Sequence, residues 1–128
     1  MFPLYDTTPR RTFPFINYLI IAANIFVFFL QLSAPDFEQF TAQYAFIPSF
    51  FNFSDPTSYI YVFTSIFMHG GIAHLLSNVW FLHIFGDNVE DSLGHFRYLL
   101  FYLVAGFIAT IAQYFFMQGL EIPVIGAS

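Results

Sequence analysis

Three stretches of the sequence carry no charged side chain, and they limit what the chain can become. They run from Thr12 to Pro35, from Pro56 to Gly86 and from Tyr98 to Leu120, which is 24, 31 and 23 residues with histidine counted neutral. A helix needs about 20 apolar residues to cross roughly 30 Å of hydrocarbon. Composition agrees with that reading: 9% of residues are charged, 58% are hydrophobic, 21 are phenylalanine and none is lysine. Three basic and eight acidic side chains are too few to cover a soluble surface. The expectation is an all-α membrane protein, a polytopic helical bundle embedded in a lipid bilayer.

The same numbers exclude other classes. A net charge of -5 provides no basic footprint for nucleic acid. The absence of cysteine removes disulfides, thiolate metal sites and cysteine nucleophiles together.

The first and third spans are expected at about 14–33 and 96–117. The middle stretch contains Gly70-Gly71, a poor place for a continuous helix. The second span is therefore placed from Ile72 to about Val89. Ile72 through Gly86, the last residue before Asp87, is only 15 residues and rises about 22 Å. That is short for a bilayer. Irregular backbone at membrane depth survives where protein or a wet cavity satisfies it. Such a cavity is expected where His69, His74, Ser77 and Asn78 cluster.

Arg10 and Arg11 precede the first span, Arg97 lies between the second and third, and segments 36–71 and 118–127 have no basic residue. Positive-inside placement puts residues 1–13 and the 88–97 connection in the cytoplasm, with the other two segments outside. Arg10-Arg11 also resembles a twin-arginine export signal, but the apolar stretch is longer than a signal core and Leu32-Ser33-Ala34 is a poor cleavage site. The first span reads as an anchor. Segment 36–71 is long and apolar for a connection, so short interfacial helices are expected there, one of them starting at Asp55-Pro56. Ala105, Ala109 and Ala112 with Gly106 and Thr110 give the third span a small-residue stripe, read as close helix packing.

His74 and Asn78 stand four residues apart, on one helical face. Polar groups inside a bilayer mark either function or interhelical hydrogen bonding, and spacing alone does not separate the two. Gly126-Ala127-Ser128 places a hydroxyl on the same outer side. Donors beside a serine hydroxyl suit the oxyanion of acyl transfer.

Three ordered motifs carry a family resemblance. They are Phe63–Asn78 with Met68-His69-Gly70-Gly71 and His74-Leu75-Leu76-Ser77-Asn78, then Phe85–Gly94, then Gly126-Ala127-Ser128. Together they resemble a bacterial rhomboid intramembrane serine protease over roughly residues 40–128. The resemblance implies that Ser128 is the nucleophile of a Gly-x-Ser-Gly motif that Gly126 opens, at the start of a fourth helix near 127. It implies that His74 and Asn78 help form the oxyanion hole, and that Gly86, Glu90 and Gly94 form a structural turn after the second span. Residues 14–128 would then be an incomplete rhomboid domain, half of the bundle, with a membrane-embedded outer loop between spans one and two. Its substrates would be transmembrane proteins cut near the outer surface, with no metal and no cofactor. Its place would be the bacterial inner membrane with the N-terminus cytoplasmic.

The sequence departs from the family pattern in two respects. The given sequence stops at Ser128, without the glycine that follows in the motif and without the later helix carrying the family's general-base histidine. The outer segment also lacks the Trp-Arg pair that some rhomboids have. None of His69, His74, His83 or His95 is a good substitute base, so these 128 residues alone are expected to be inactive. The competing expectation is a rhomboid-like pseudoenzyme that binds membrane-protein clients without cleaving them.

Overall fold

Pro14 precedes the first helix and offers no side chain to cap it. The computed structural model describes residues 12–116 and shows what replaces the cap. Helix α1 (Phe15–Ser33) receives the Glu90 carboxylate at its N-terminus, where the Ile16 N–H donates at 3.1 Å and the Asn17 N–H at 2.7 Å. The first N–H groups of any helix lack internal partners, and negative charge is favoured there. Glu90 therefore ties α1 to a segment more than 70 residues later in the chain. Pro35 ends the helix at the other side, since it cannot donate to the ladder.

Many apolar residues of α1 face outward, while its three amides face inward beside the buried Ile20, Ile21 and Phe28. Leu19, Phe26, Phe29 and Leu32 are exposed, whereas Asn17, Asn24 and Gln31 are buried at 1%, 0% and 0%. Those three amides recur every seven residues and so lie along one side of the helix. This inversion is suited to lipid, where the apolar face loses nothing by exposure and polar groups must find partners inside.

After α1 come α2 (Phe37–Tyr44), a single 3-10 turn at Pro48–Phe50, and α3 (Ser58–Ile66). Asp36 caps α2 by accepting from the Gln39 N–H at 3.1 Å. The helix expected at Asp55-Pro56 begins slightly later. The Asp55 side chain accepts from the Thr57 N–H and hydroxyl, holding a turn that leads into α3. Segment 36–71 does more than lie on a surface, because α3 packs along α6 (His95–Phe116). Ile66 presses on Gly106 so closely that a Cβ there would sit 2.6 Å from its terminal methyl. Tyr59 and Phe63 stack on Phe107. Phe51 meets Tyr114 edge-on at 5.5 Å. The small-residue stripe therefore divides. Gly106 and Thr110 are buried, while Ala105, Ala109 and Ala112 are exposed.

The second segment departs from expectation at its far end. Helix α4 (Ile72–Phe81) continues through a π-helical turn at Leu82–Gly86 into α5 (Asp87–Leu93). Helical backbone thus runs unbroken past Val89 to Leu93, and Gly94, with φ of 88°, stops it. The charges at 87–91 do not end the helix because the α1 N-terminus draws Glu90 inward. The Asn17 side chain donates to the Leu82 carbonyl at 2.6 Å, an insertion into the helical ladder of the kind that accompanies a π turn.

The chain is helical throughout its described elements. Among the described residues α1 and α6 are the helices long and apolar enough to span a bilayer. The first and third expected spans agree with them to within a residue at each end. The middle segment, divided by the π turn and acidic in its last turns, does not meet that measure. The expected fourth helix lies outside the described residues.

Candidate functional site

Gly70 and Gly71 lead into α4, and the first two turns of that helix carry His74 and Asn78. Asn78 is buried and His74 is half-buried. The residue that joins them is His69, which is fully buried just before the helix. Its ring meets the His74 ring edge-on at 4.8 Å, and its Nε2 lies 3.0 Å from Asn78 Nδ2.

A chain of contacts assigns the donors. The Asn24 Nδ2 donates to the Ile20 carbonyl at 2.7 Å, so the Asn24 Oδ1 must be the atom turned toward α4. That oxygen lies 3.5 Å from Asn78 Nδ2, which makes the Asn78 group facing it the NH2. The same NH2 faces His69 Nε2, so Nε2 accepts and the His69 proton sits on Nδ1. Nδ1 is buried and has no hydrogen-bond partner among the described residues.

Helix α1 also fixes the position of His69. The Gln31 amide brackets its backbone, with the His69 N–H donating to Oε1 at 3.2 Å and Gln31 Nε2 donating to the His69 carbonyl at 3.0 Å. Gln31 Nε2 donates to the Thr41 hydroxyl as well, at 2.8 Å, which joins α2 to the same point. His69 lies before α4, outside α1 and α6, the two helices long and apolar enough to span a bilayer among the described residues. Burial removes the water that would stabilise its cation and pushes its pKa down to about 4, with His74 opposing the charge further and a backbone interaction at Phe67 offsetting part of the effect. The ring is neutral at physiological pH. His74 accepts at Nδ1 from the Gly70 N–H at 3.5 Å, which leaves Nε2 as the donor of its ring.

The residues singled out in the sequence fall into three groups. His74 and Asn78 come together around His69. Ser77, expected in the same polar cluster, turns away and donates to the Ala73 and His74 carbonyls. Gly86, Glu90 and Gly94 lie on the π turn and α5, and build the junction with α1. Glu90 accepts there from two α1 N–H groups and pairs with His95 Nδ1. Gly126 and Ser128 lie outside the described residues. Sequence reasoning missed the part played by α1. The signal was present as Asn17, Asn24 and Gln31, three amides at seven-residue spacing in an otherwise apolar span.

Comparison with known proteins bears on this geometry. The family model of the Rhomboid domain matches residues 56–128, more than half of the chain. This chain belongs to the rhomboid family. The rhomboid chain is 34% identical to the rhomboid protease GluP of Bacillus subtilis over 115 residues, covering 90% of this chain and 22% of that protein. It is 37% identical over 65 residues to the putative rhomboid protease YdcA of the same organism, covering 51% of this chain and 32% of the relative. The presenilin-associated rhomboid-like protein, mitochondrial, of Bos taurus is 31% identical over 98 residues, covering 74% of this chain and 24% of the relative. The chain spans from 18% to 32% of the length of the relatives it matches. No solved structure matches it. Family membership makes the rhomboid chain an integral membrane protein of the rhomboid protease class by resemblance. The relatives come from bacteria and from organelles, so they do not assign it to one membrane.

Proposed function

We propose that these residues belong to an intramembrane serine endopeptidase that hydrolyses peptide bonds of transmembrane substrates near the outer membrane surface. The observation that carries the reading is the orientation of the Asn78 NH2, held at His69 Nε2 one helical turn from the His74 ring in a rhomboid chain. In this reading the Ser128 Oγ attacks the scissile carbonyl and its proton passes to a general base. The carbonyl oxygen becomes an oxyanion facing the His74 Nε2–H and an Asn78 N–H. Hydrogen-bond donors whose orientation the fold already sets stabilise such charge. The family's placing of Gly126 and Ser128, three spans with a fourth helix, and a cytoplasmic N-terminus in a bacterial inner membrane complete the proposal.

The base is a group that these 128 residues do not supply. His69 is committed to Asn78 and His95 to Glu90. His83 is exposed and packs toward Tyr18 on the side of α1. The isolated 128-residue chain is therefore expected to be unreactive at Ser128. The test is cleavage of a transmembrane reporter peptide by the full-length protein in liposomes. Cleavage that disappears with Ser128→Ala supports the reading. Cleavage that survives Ser128→Ala, or reporter binding without cleavage by the wild type, contradicts it, and the second outcome would fit a client-binding relative instead.

A further inference from the structure

We infer that Asn24 of α1 is a positioning residue for Asn78, which makes the first span part of the oxyanion apparatus; the inference rests on the protease reading above. The family match begins at residue 56, so it contains neither Asn24 nor the rest of α1. The site nevertheless depends on this helix. Asn24 is completely buried, and its own orientation is fixed by the Ile20 carbonyl one turn back. Its Oδ1 faces the Asn78 NH2 at 3.5 Å, while His69 Nε2 takes the same NH2 at 3.0 Å. A flipped Asn78 would set its carbonyl oxygen against the buried Asn24 oxygen, and opposed acceptors are costly when buried. The two neighbours thus select one orientation of the amide.

The lengths of the two contacts suggest distinct duties. His69 makes the shorter bond and anchors the nitrogen. Asn24 makes the longer one and occupies the remaining N–H loosely. An oxyanion is a far stronger acceptor than a neutral amide oxygen. When it forms, the N–H lent to Asn24 is the one available to it. Asn24 therefore keeps the donor aimed between turnovers, and its long contact costs little to give up when the oxyanion forms.

The test is a double-mutant cycle in the full-length protein with a transmembrane reporter peptide. Asn24→Ala should lower kcat roughly tenfold with KM little changed, and should add nothing in an Asn78→Ala background. An equal loss in both backgrounds, or an unchanged kcat for Asn24→Ala alone, overturns the inference. Imidazole 15N spectra read the arrangement independently of activity and of how well Asn24→Ala folds. They should show wild-type His69 as the Nδ1–H tautomer, and an Nε2–H tautomer overturns the inference because Asn78 would then present its carbonyl. A wild type with the Nδ1–H tautomer but no turnover overturns the protease reading while supporting the hydrogen-bond arrangement.

Discussion

Asn17 stands where a Cβ on Gly86 would be: an atom built there would meet the Asn17 side-chain oxygen at 2.2 Å. Asn17 cannot move aside freely, because its Nδ2 donates to the Leu82 carbonyl at 2.6 Å and its Oδ1 accepts from the Tyr98 hydroxyl at 2.7 Å. One glycine thereby lets α1, the π turn and α6 meet at a single amide. Gly86→Ala should destabilise the full-length protein by about 1–3 kcal/mol through overpacking and loss of these bonds. Gly71→Ala is the control, since nothing lies within 4 Å of a Cβ there, and its effect should stay within about 0.5 kcal/mol. Thermal unfolding in detergent measures both.

Glu90 is fully buried and accepts from the Ile16 and Asn17 N–H groups while pairing with His95. Glu90→Gln replaces one acceptor oxygen by a donor and removes the charge that the α1 N-terminus favours. A loss of about 1–3 kcal/mol is expected. Glu90→Ala should lose more, because both α1 N–H groups are then left without an acceptor. His95→Ala should lose less than either, since its side chain is 34% exposed and water can take its place. The ranking of the three unfolding midpoints checks this assignment.

His69 predicts a pH dependence with a definite sign. The folded chain holds its pKa near 4, below the ordinary 6.5, so the unfolded chain takes up the proton first. Stability from this group is complete above about 6.5 and falls as pH drops toward about 4, by up to about 1.4 kcal/mol per pH unit. Protonation of the folded chain also gives Nε2 a hydrogen, which sets a donor against the Asn78 NH2, so turnover should fall only as pH approaches about 4. Unfolding scans of wild type and His69→Asn across that range supply the check. Their difference should shrink with acid, and a constant difference would contradict the assignment.

The two long spans were legible because an uncharged apolar run of sufficient length has few alternatives, and α1 and α6 match their expected limits closely. The far end of the second segment was not. Asp87, Glu90 and Asp91 look like a boundary in the sequence, yet Glu90 is buried by a partner more than 70 residues away, and Gly94 supplies the stop. The π turn has no local signature either, since it is met by an amide from another helix. His74 and Asn78 were legible as a pair on one helical face. That His69 lies between them is a tertiary fact, set by Gln31 through the His69 backbone. The heptad of amides in α1 was visible as a pattern, but what each amide meets depends on packing that no local propensity encodes.

Asn78→Ala in the full-length protein should lower kcat by about a hundred- to a thousand-fold, the usual loss when an oxyanion donor is removed. It also removes the partner of His69 Nε2, so some loss of stability should accompany it. The kinetic loss should exceed what that instability explains, with the folded fraction monitored by far-UV circular dichroism at the assay temperature. Equal losses of folded protein and of activity would instead make Asn78 a packing residue.

In the proposed protease, Ser128 is a nucleophile served by the donors of α4. Mass-spectrometric mapping of a fluorophosphonate adduct on the full-length protein tests it most directly. An adduct on Ser128 is expected, strongly reduced by Asn78→Ala and absent when residues 1–128 are produced alone. A folded full-length protein whose Ser128 stays unmodified, or an adduct on another residue, would contradict it.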